Sequence, residues 1–198
     1  MPPPLLIRLR GRHAARIASA ALVCVLWLGA GALQRMVCGP WKPTSPYTDL
    51  RAGLRLFAAL GLGWPAAIGL WGGSLLCGLA GLGPRLSAGA AVLRALLSAL
   101  SPFAAWRASA TPLRLRADLR GLRLWQLLAL TLVSALFWDL PDSVLLQHFD
   151  GLRMVPSLLA QRLLVNVTAS LVLLYLASFA GRLYLRRLAR RAARDDAA

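Results

Sequence analysis

Apolar stretches recur along this chain, and short arginine-bearing segments separate them. The first runs from Ile17 to Leu33, about the minimum length that crosses hydrocarbon. From Arg51 to Leu82 the chain is again apolar, but Gly61, Gly63, Trp64 and Pro65 interrupt it. Proline removes a helix hydrogen bond and disfavours helical geometry in the residue before it. The pattern therefore predicts two helices, about 51–63 and 65–82, meeting at a tight Gly-Trp-Pro turn. Further spans are predicted at 88–107, 124–147 and 157–181, with Trp138-Asp139-Leu140-Pro141-Asp142 marking the exit of the fifth. A soluble core of this size would not leave nearly continuous apolar runs between basic islands. Lipid-embedded helices with arginines at their ends do. The expectation is an all-α fold, a polytopic transmembrane bundle of about six spans. A basic lead occupies 1–16, the bundle 17–181 and a basic tail 182–198.

The basic residues orient this bundle. The lead carries Arg8, Arg10, Arg12 and Arg16. The connection after the fourth stretch carries Arg107, Arg114, Arg116, Arg120 and Arg123. The tail carries Arg182, Arg186, Arg187, Arg190, Arg191 and Arg194. The opposite connections carry only Arg35, Lys42, Arg51, Arg85 and Arg153. Six crossings place the three rich segments on one side with both termini, and the positive-inside rule makes that side cytoplasmic. Five crossings would strand either the basic connection or the tail outside. Four crossings satisfy the same parity, with 51–82 one broken span and 88–107 a re-entrant or interfacial element. The first stretch also resembles a signal peptide, with Ala30-Gly31-Ala32 as a cleavage site. The lead is long for an n-region, however, and all that follows is membrane-embedded, so an uncleaved helix is expected. In the 34–50 loop, Pro40, Pro43 and Pro46 oppose helix, while Trp41 and Tyr47 suit an interfacial aromatic belt.

Composition refines this picture without changing it. The chain has 198 residues, 58% of them hydrophobic, and a net charge of +16, with mean hydropathy +0.62. That length suits one membrane domain. With no soluble fold to carry a basic patch, nucleic acid is not an expected partner. Anionic lipid headgroups at the cytoplasmic face are. There is no glutamate, and Lys42 is the only lysine. Such usage matches the coding habit of a GC-rich bacterium, hence a bacterial inner membrane. Cys24, Cys38 and Cys77 show no CxxC and no metal spacing, so neither a disulfide framework, a metal site nor a cofactor is expected.

No catalytic motif is present: no GxSxG, HExxH or Walker loop, and no paired glutamates. Asp139, Asp142 and His148 are the only acid–base candidates and are thinly spread. The polar residues inside apolar stretches are more informative, because a charge in hydrocarbon costs about 3 kcal/mol and usually faces a bundle interior or wet cavity. Arg55, Arg94, Asp139, Arg162 and Asn166 are the candidate ligand-binding residues. Arg51 and Arg55 share a helix face, as do Arg162 and Asn166. Two readings are open. One is buried salt bridges such as Arg162 to Asp139, with Arg51 and Arg94 snorkelling to the interface. The other is a cavity with surplus positive charge for an anionic ligand. Gly69, Gly72, Gly73, Ser74, Gly78 and Gly81 form a small-residue face suited to close helix packing, within the chain or against a partner subunit.

The stretches Ser45-Pro46, Ala52-Gly53-Leu54, Gly61-Leu62-Gly63-Trp64-Pro65-Ala66-Ala67-Ile68 and Gly72-Gly73-Ser74 resemble the opening of a bacterial family. It is the first class of membrane-associated sensor domains, found ahead of diguanylate cyclases and histidine kinases. The resemblance covers about 45–180 and implies an integral membrane sensor. The chain departs in having about six spans rather than eight and in lacking an output domain. Length and span number are also similar to those of substrate-binding subunits of energy-coupling-factor vitamin transporters, an analogy of topology alone. The expected function is a non-enzymatic inner-membrane sensor or scaffold subunit acting through a partner protein. The alternative is a small-solute transporter, or its substrate-binding subunit, with an anionic ligand.

Overall fold

The computed structural model describes residues 5–39, 50–82, 84, 86–114, 123–150 and 155–195. The described residues form six α-helices and no strand. They are α1 (Leu5–Cys38), α2 (Leu50–Leu62), α3 (Trp64–Leu79), α4 (Ala88–Ala110), α5 (Leu124–Asp150) and α6 (Pro156–Asp195). Residues 40–49, expected as a proline-rich loop with Trp41 and Tyr47, and residues 115–122 of the basic connection lie outside them.

Four helices, α1, α4, α5 and α6, are long and apolar enough to cross a membrane. At 13 and 16 residues, α2 and α3 reach about 20 and 24 Å. Hydrocarbon is about 30 Å thick. The four-span alternative fits these lengths, with one correction: the short pair is α2 and α3, whereas 88–107, expected there to be a re-entrant or interfacial element, lies in the full-length helix α4. Three boundaries also move outward. The basic lead from Leu5 is continuous with α1, the tail to Asp195 is continuous with α6, and α5 runs past Asp139-Leu140-Pro141-Asp142 to Asp150.

Contacts fix the helix directions. Along α1 and α3, Gly69 lies against Ala20 and Val23, Gly73 against Trp27, and Arg35 Nη1 donates to the Gly81 carbonyl at 2.7 Å. Residue numbers rise together, so α1 and α3 are parallel. Arg51 and Arg55 sit over Trp27, while Gly61 and Leu62 border Ala15 to Ala21, so α2 returns antiparallel to both. The stacked rings of Trp64 and Phe103, 5.3 Å apart, pair α3 antiparallel with α4. Hydrogen bonds from Arg94 to Asp142 and from Gln126 to the Leu113 carbonyl pair α4 antiparallel with α5. Arg162 and Asn166 do the same for α5 and α6. The start of α1 and the end of α6 therefore lie at one end of the bundle.

The α2–α3 reversal needs a single residue outside helix. Gly63 has φ +63° and ψ −140°, a region open essentially to glycine alone. Pro65 then sits in the first turn of α3, where its missing N–H would have had no helical acceptor. The far end of α3 closes with Leu82 N–H donating to Cys77 O and Gly81 N–H to Gly78 O, around Gly81 at φ +65°. Apolar packing of Val23, Trp27, Leu54, Ala58, Ala66, Ala67, Leu70, Cys77 and Ala99 joins the first four helices.

Polarity is inverted relative to a soluble domain. Ile17, Val25, Val144, Leu164 and Tyr175 point outward and are at least 65% exposed, while Arg51, Arg55, Asp139, Asp142 and Asn166 are at most 7% exposed. Water would penalise both halves of that arrangement. Lipid favours it, and the chain is a membrane protein.

Candidate functional site

The buried polar residues do not scatter through the bundle; they form one connected series. Arg55 lies over the Trp138 ring, its guanidinium carbon 3.8 Å from the ring centroid, and 5.9 Å from the centroid of Trp27. Arg51 covers Trp27 at 5.4 Å and Arg94 covers Trp138 at 5.4 Å. Arginine and tryptophan thus alternate as Arg51, Trp27, Arg55, Trp138, Arg94. At Arg94 the series continues as ion pairs. Arg94 Nε donates to Asp142 Oδ1 at 2.6 Å, and Arg162 Nη2 donates to Asp142 Oδ2 at 2.6 Å. Arg162 Nη2 also lies 3.7 Å from Asp139, and Asn166 Nδ2 donates to both Asp139 oxygens at 2.8 and 2.7 Å. Arg162 Nη1 reaches Ser143 Oγ at 3.5 Å.

Local sequence places each group. The four-residue spacing of Arg51 and Arg55 puts both on the face of α2 that meets Trp27, and the same spacing aligns Arg162 with Asn166 on α6. Asp139 and Asp142 are three apart on α5, on the face toward α4 and α6. Pro141 between them removes one backbone hydrogen bond. Membrane helices tolerate this where neighbours hold the flanks, and here Arg94, Arg162 and Asn166 hold both aspartates. Both carboxylates are fully buried. Two arginine donors replace the lost hydration of Asp142, and the Asn166 amide, with Arg162 nearby, that of Asp139. Guanidinium over an aromatic face contributes about 1–2 kcal/mol when desolvated, less than the cost of burying the ion. Among the described side chains the series holds four arginines against two aspartates, a formal charge of +2.

A cavity of about 30 Å³ opens beside this series, lined among others by Trp27, Arg51, Ser74, Cys77, Arg94 and Trp138. The Trp27 indole Nε1 and Ser74 Oγ are buried without a hydrogen-bond partner. Asn166 Oδ1 is likewise unpartnered, but that residue does not line the cavity.

All five candidate residues fall in the series: Arg55, Arg94, Asp139, Arg162 and Asn166. Two details differ from expectation. Arg162 pairs more closely with Asp142 than with Asp139. The aspartates do not mark a helix exit, since Asp142 lies eight residues, about 12 Å, before the end of α5. His148, expected in a loop, occupies the last turn of α5 with its ring edge-on to Phe149. Trp27, Trp138 and Ser74 were not among the candidates, and Asp142 was one only as a possible acid–base group. An aromatic or small hydroxyl residue in an apolar stretch reads as lipid-facing or packing until its neighbours are known. Gly69 and Gly73 of the small-residue face pack within the chain, whereas Gly72 and Gly78 face open space. Among the described residues, no three histidine, cysteine or acidic side chains gather as a metal-binding group.

No known protein family, characterised protein or solved structure matches this chain.

Proposed function

We propose that this protein is a non-enzymatic sensor or scaffold subunit of a bacterial inner membrane that acts through a partner protein. In this reading both termini are cytoplasmic. The observation that carries it is the buried arginine–tryptophan–aspartate series, which ties α1, α2, α4, α5 and α6 into one electrostatic unit. Such a unit holds helices in register and makes their positions interdependent, the physical requirement for passing a change across a bundle. Of the motifs that carry the sensor-family resemblance, those from Ala52 to Ser74 fall in α2 and α3, the short pair of the bundle. The basic ends of α1 and α6 are the docking surfaces in this reading, toward a partner and toward anionic headgroups, each arginine near the surface contributing about 1 kcal/mol of lipid attraction.

The competing reading is a transporter for an anionic solute. It requires a solute-sized cavity lined by Arg55, Arg94, Arg162 and Asn166. The 30 Å³ cavity touches Arg94 alone of these four, while Arg162 and Asn166 are bonded to the aspartates and Arg55 is stacked on Trp138.

The test is cross-linking and purification in mild detergent from the native host. One protein is expected to co-purify in fixed ratio, and to be lost when Arg186, Arg187, Arg190, Arg191 and Arg194 are changed to alanine with the melting curve unchanged. A chain that always elutes alone overturns the proposal.

A further inference from the structure

We propose that the groove between α1 and α3 seats one anionic phospholipid, its acyl chain lying along the groove and its phosphate against Arg16. Shape, surroundings and charge lead to this.

The groove has a volume of about 970 Å³ and is lined by Arg16, Ile17, Ala21 and Cys24 of α1 and by Ile68 and Gly72 of α3, among others. Small-ligand sites measure about 300–1,000 Å³. Gly61 and Gly72 keep it hollow, with nothing within 4 Å of where a Cβ would stand. From Arg16 to Cys24, as from Trp64 to Gly72, the helix rises about 12 Å. The hydrocarbon of one leaflet is about 15 Å deep, so the groove runs through most of one leaflet.

Its surroundings are those of an acyl chain. Ile17, Trp64 and Ile68 are at least 64% exposed. Ser19 turns its hydroxyl back to the Ala15 carbonyl at 2.8 Å, which leaves its wall apolar. An unfilled hollow forfeits the dispersion contacts of its lining, and acyl chains are the fluid at hand to fill it. A chain in the groove gains little over one in the bulk bilayer, which is equally apolar. The headgroup end therefore decides which lipid is held.

That end is positive. Arg16 is exposed, and among the described residues no carboxylate pairs with it. Gly69 packs against Ala20 and Val23, which sets Trp64 at about the level of Arg16 across the parallel helices. Arginine and tryptophan at one height, where the apolar span begins, mark the headgroup boundary. A guanidinium there can grip a phosphate through two parallel hydrogen bonds. A second copy of this chain seated about a two-fold axis would instead bring the same arginine to the seam.

The groove does not depend on the partner reading, and its test uses the purified full chain alone. The protein is placed in phosphatidylcholine nanodiscs that hold a trace of phosphatidylglycerol or phosphatidylcholine with a photoreactive acyl chain, and cross-links are mapped by peptide mass spectrometry. Peptides covering 17–24 and 64–72 are expected to take about five times more label from phosphatidylglycerol, the selectivity that one arginine near the surface confers. Arg16→Gln is expected to lose at least half of that preference at these peptides. Gly72→Leu, which fills the groove, is expected to cut their labelling by both lipids. Gly29→Leu, in open space outside the groove, is expected to leave it unchanged. Arg16 is exposed and Gly72 meets open space, so both variants keep the packed interior intact. Equal labelling by the two probes overturns the proposal, as does an Arg16→Gln variant that keeps the full preference. No label from either probe means that protein rather than lipid covers the groove, which also overturns it.

Discussion

At the scale of single residues, Asp142 is the pivot. It is fully buried and accepts 2.6 Å hydrogen bonds from arginines on two other helices. Removing one partner of such a pair leaves an uncompensated buried charge, a loss of about 3–5 kcal/mol. Arg162→Ala and Asp142→Ala are each expected to lower the melting temperature sharply. The double variant is expected to be no worse than the more damaging single one, giving a coupling of at least 1 kcal/mol in a double-mutant cycle. Additive losses would mean that the pair carries no direct interaction. Arg94, Arg162 and Asn166 were legible in the sequence because polar groups stand out in an apolar stretch. Asp139 was legible too, as a salt-bridge partner for Arg162, but the central place of Asp142 was not. Beside a proline, Asp142 looks locally like part of a surface turn. What neutralises Asp142 lies 48 residues upstream and 20 residues downstream, a relation only the folded bundle supplies.

At the scale of elements, close approach of helices rests on particular glycines. A Cβ on Gly69 would meet the Ala20 carbonyl oxygen, and would come within 2.8 Å of Val23 Cβ. Backbone cannot rotate aside as a side chain can, so Gly69→Ala is expected to cost about 1–3 kcal/mol. Gly72→Ala, with nothing within 4 Å, is expected to be neutral or to gain up to about 1 kcal/mol from helix propensity. Melting curves of the two variants separate an internal contact from a lipid-facing position; equal losses would contradict the parallel α1–α3 packing. The reversal at Gly63, Trp64 and Pro65 was readable to within one residue, because backbone chemistry at proline and glycine is local. The run-on of α1 into its basic lead was not, since arginine-rich helix has no apolar edge to mark where it stops.

At the scale of the molecule, alternating helix directions return the chain to the end where it began. The 115–122 connection, the start of α1 and the end of α6 are expected on the cytoplasmic side. Reporter fusions after residues 113 and 195 should therefore give cytoplasmic signals, and fusions after 39 and 150 periplasmic ones. A periplasmic signal after 113 would invert the arrangement. Charge asymmetry called for an even number of crossings, in keeping with the start of α1 and the end of α6 at one end, while the four-versus-six question turned on the lengths of α2 and α3. The unbroken α6 has a further consequence. Its 30 residues from Asn166 to Asp195 form a rod about 44 Å long. Pivoting that rod by about 5° at the Asn166–Asp139 contact sweeps its tip sideways by about 4 Å. A displacement too small to break one hydrogen bond inside the bundle becomes, at the far end of the lever, a shift as wide as a side chain.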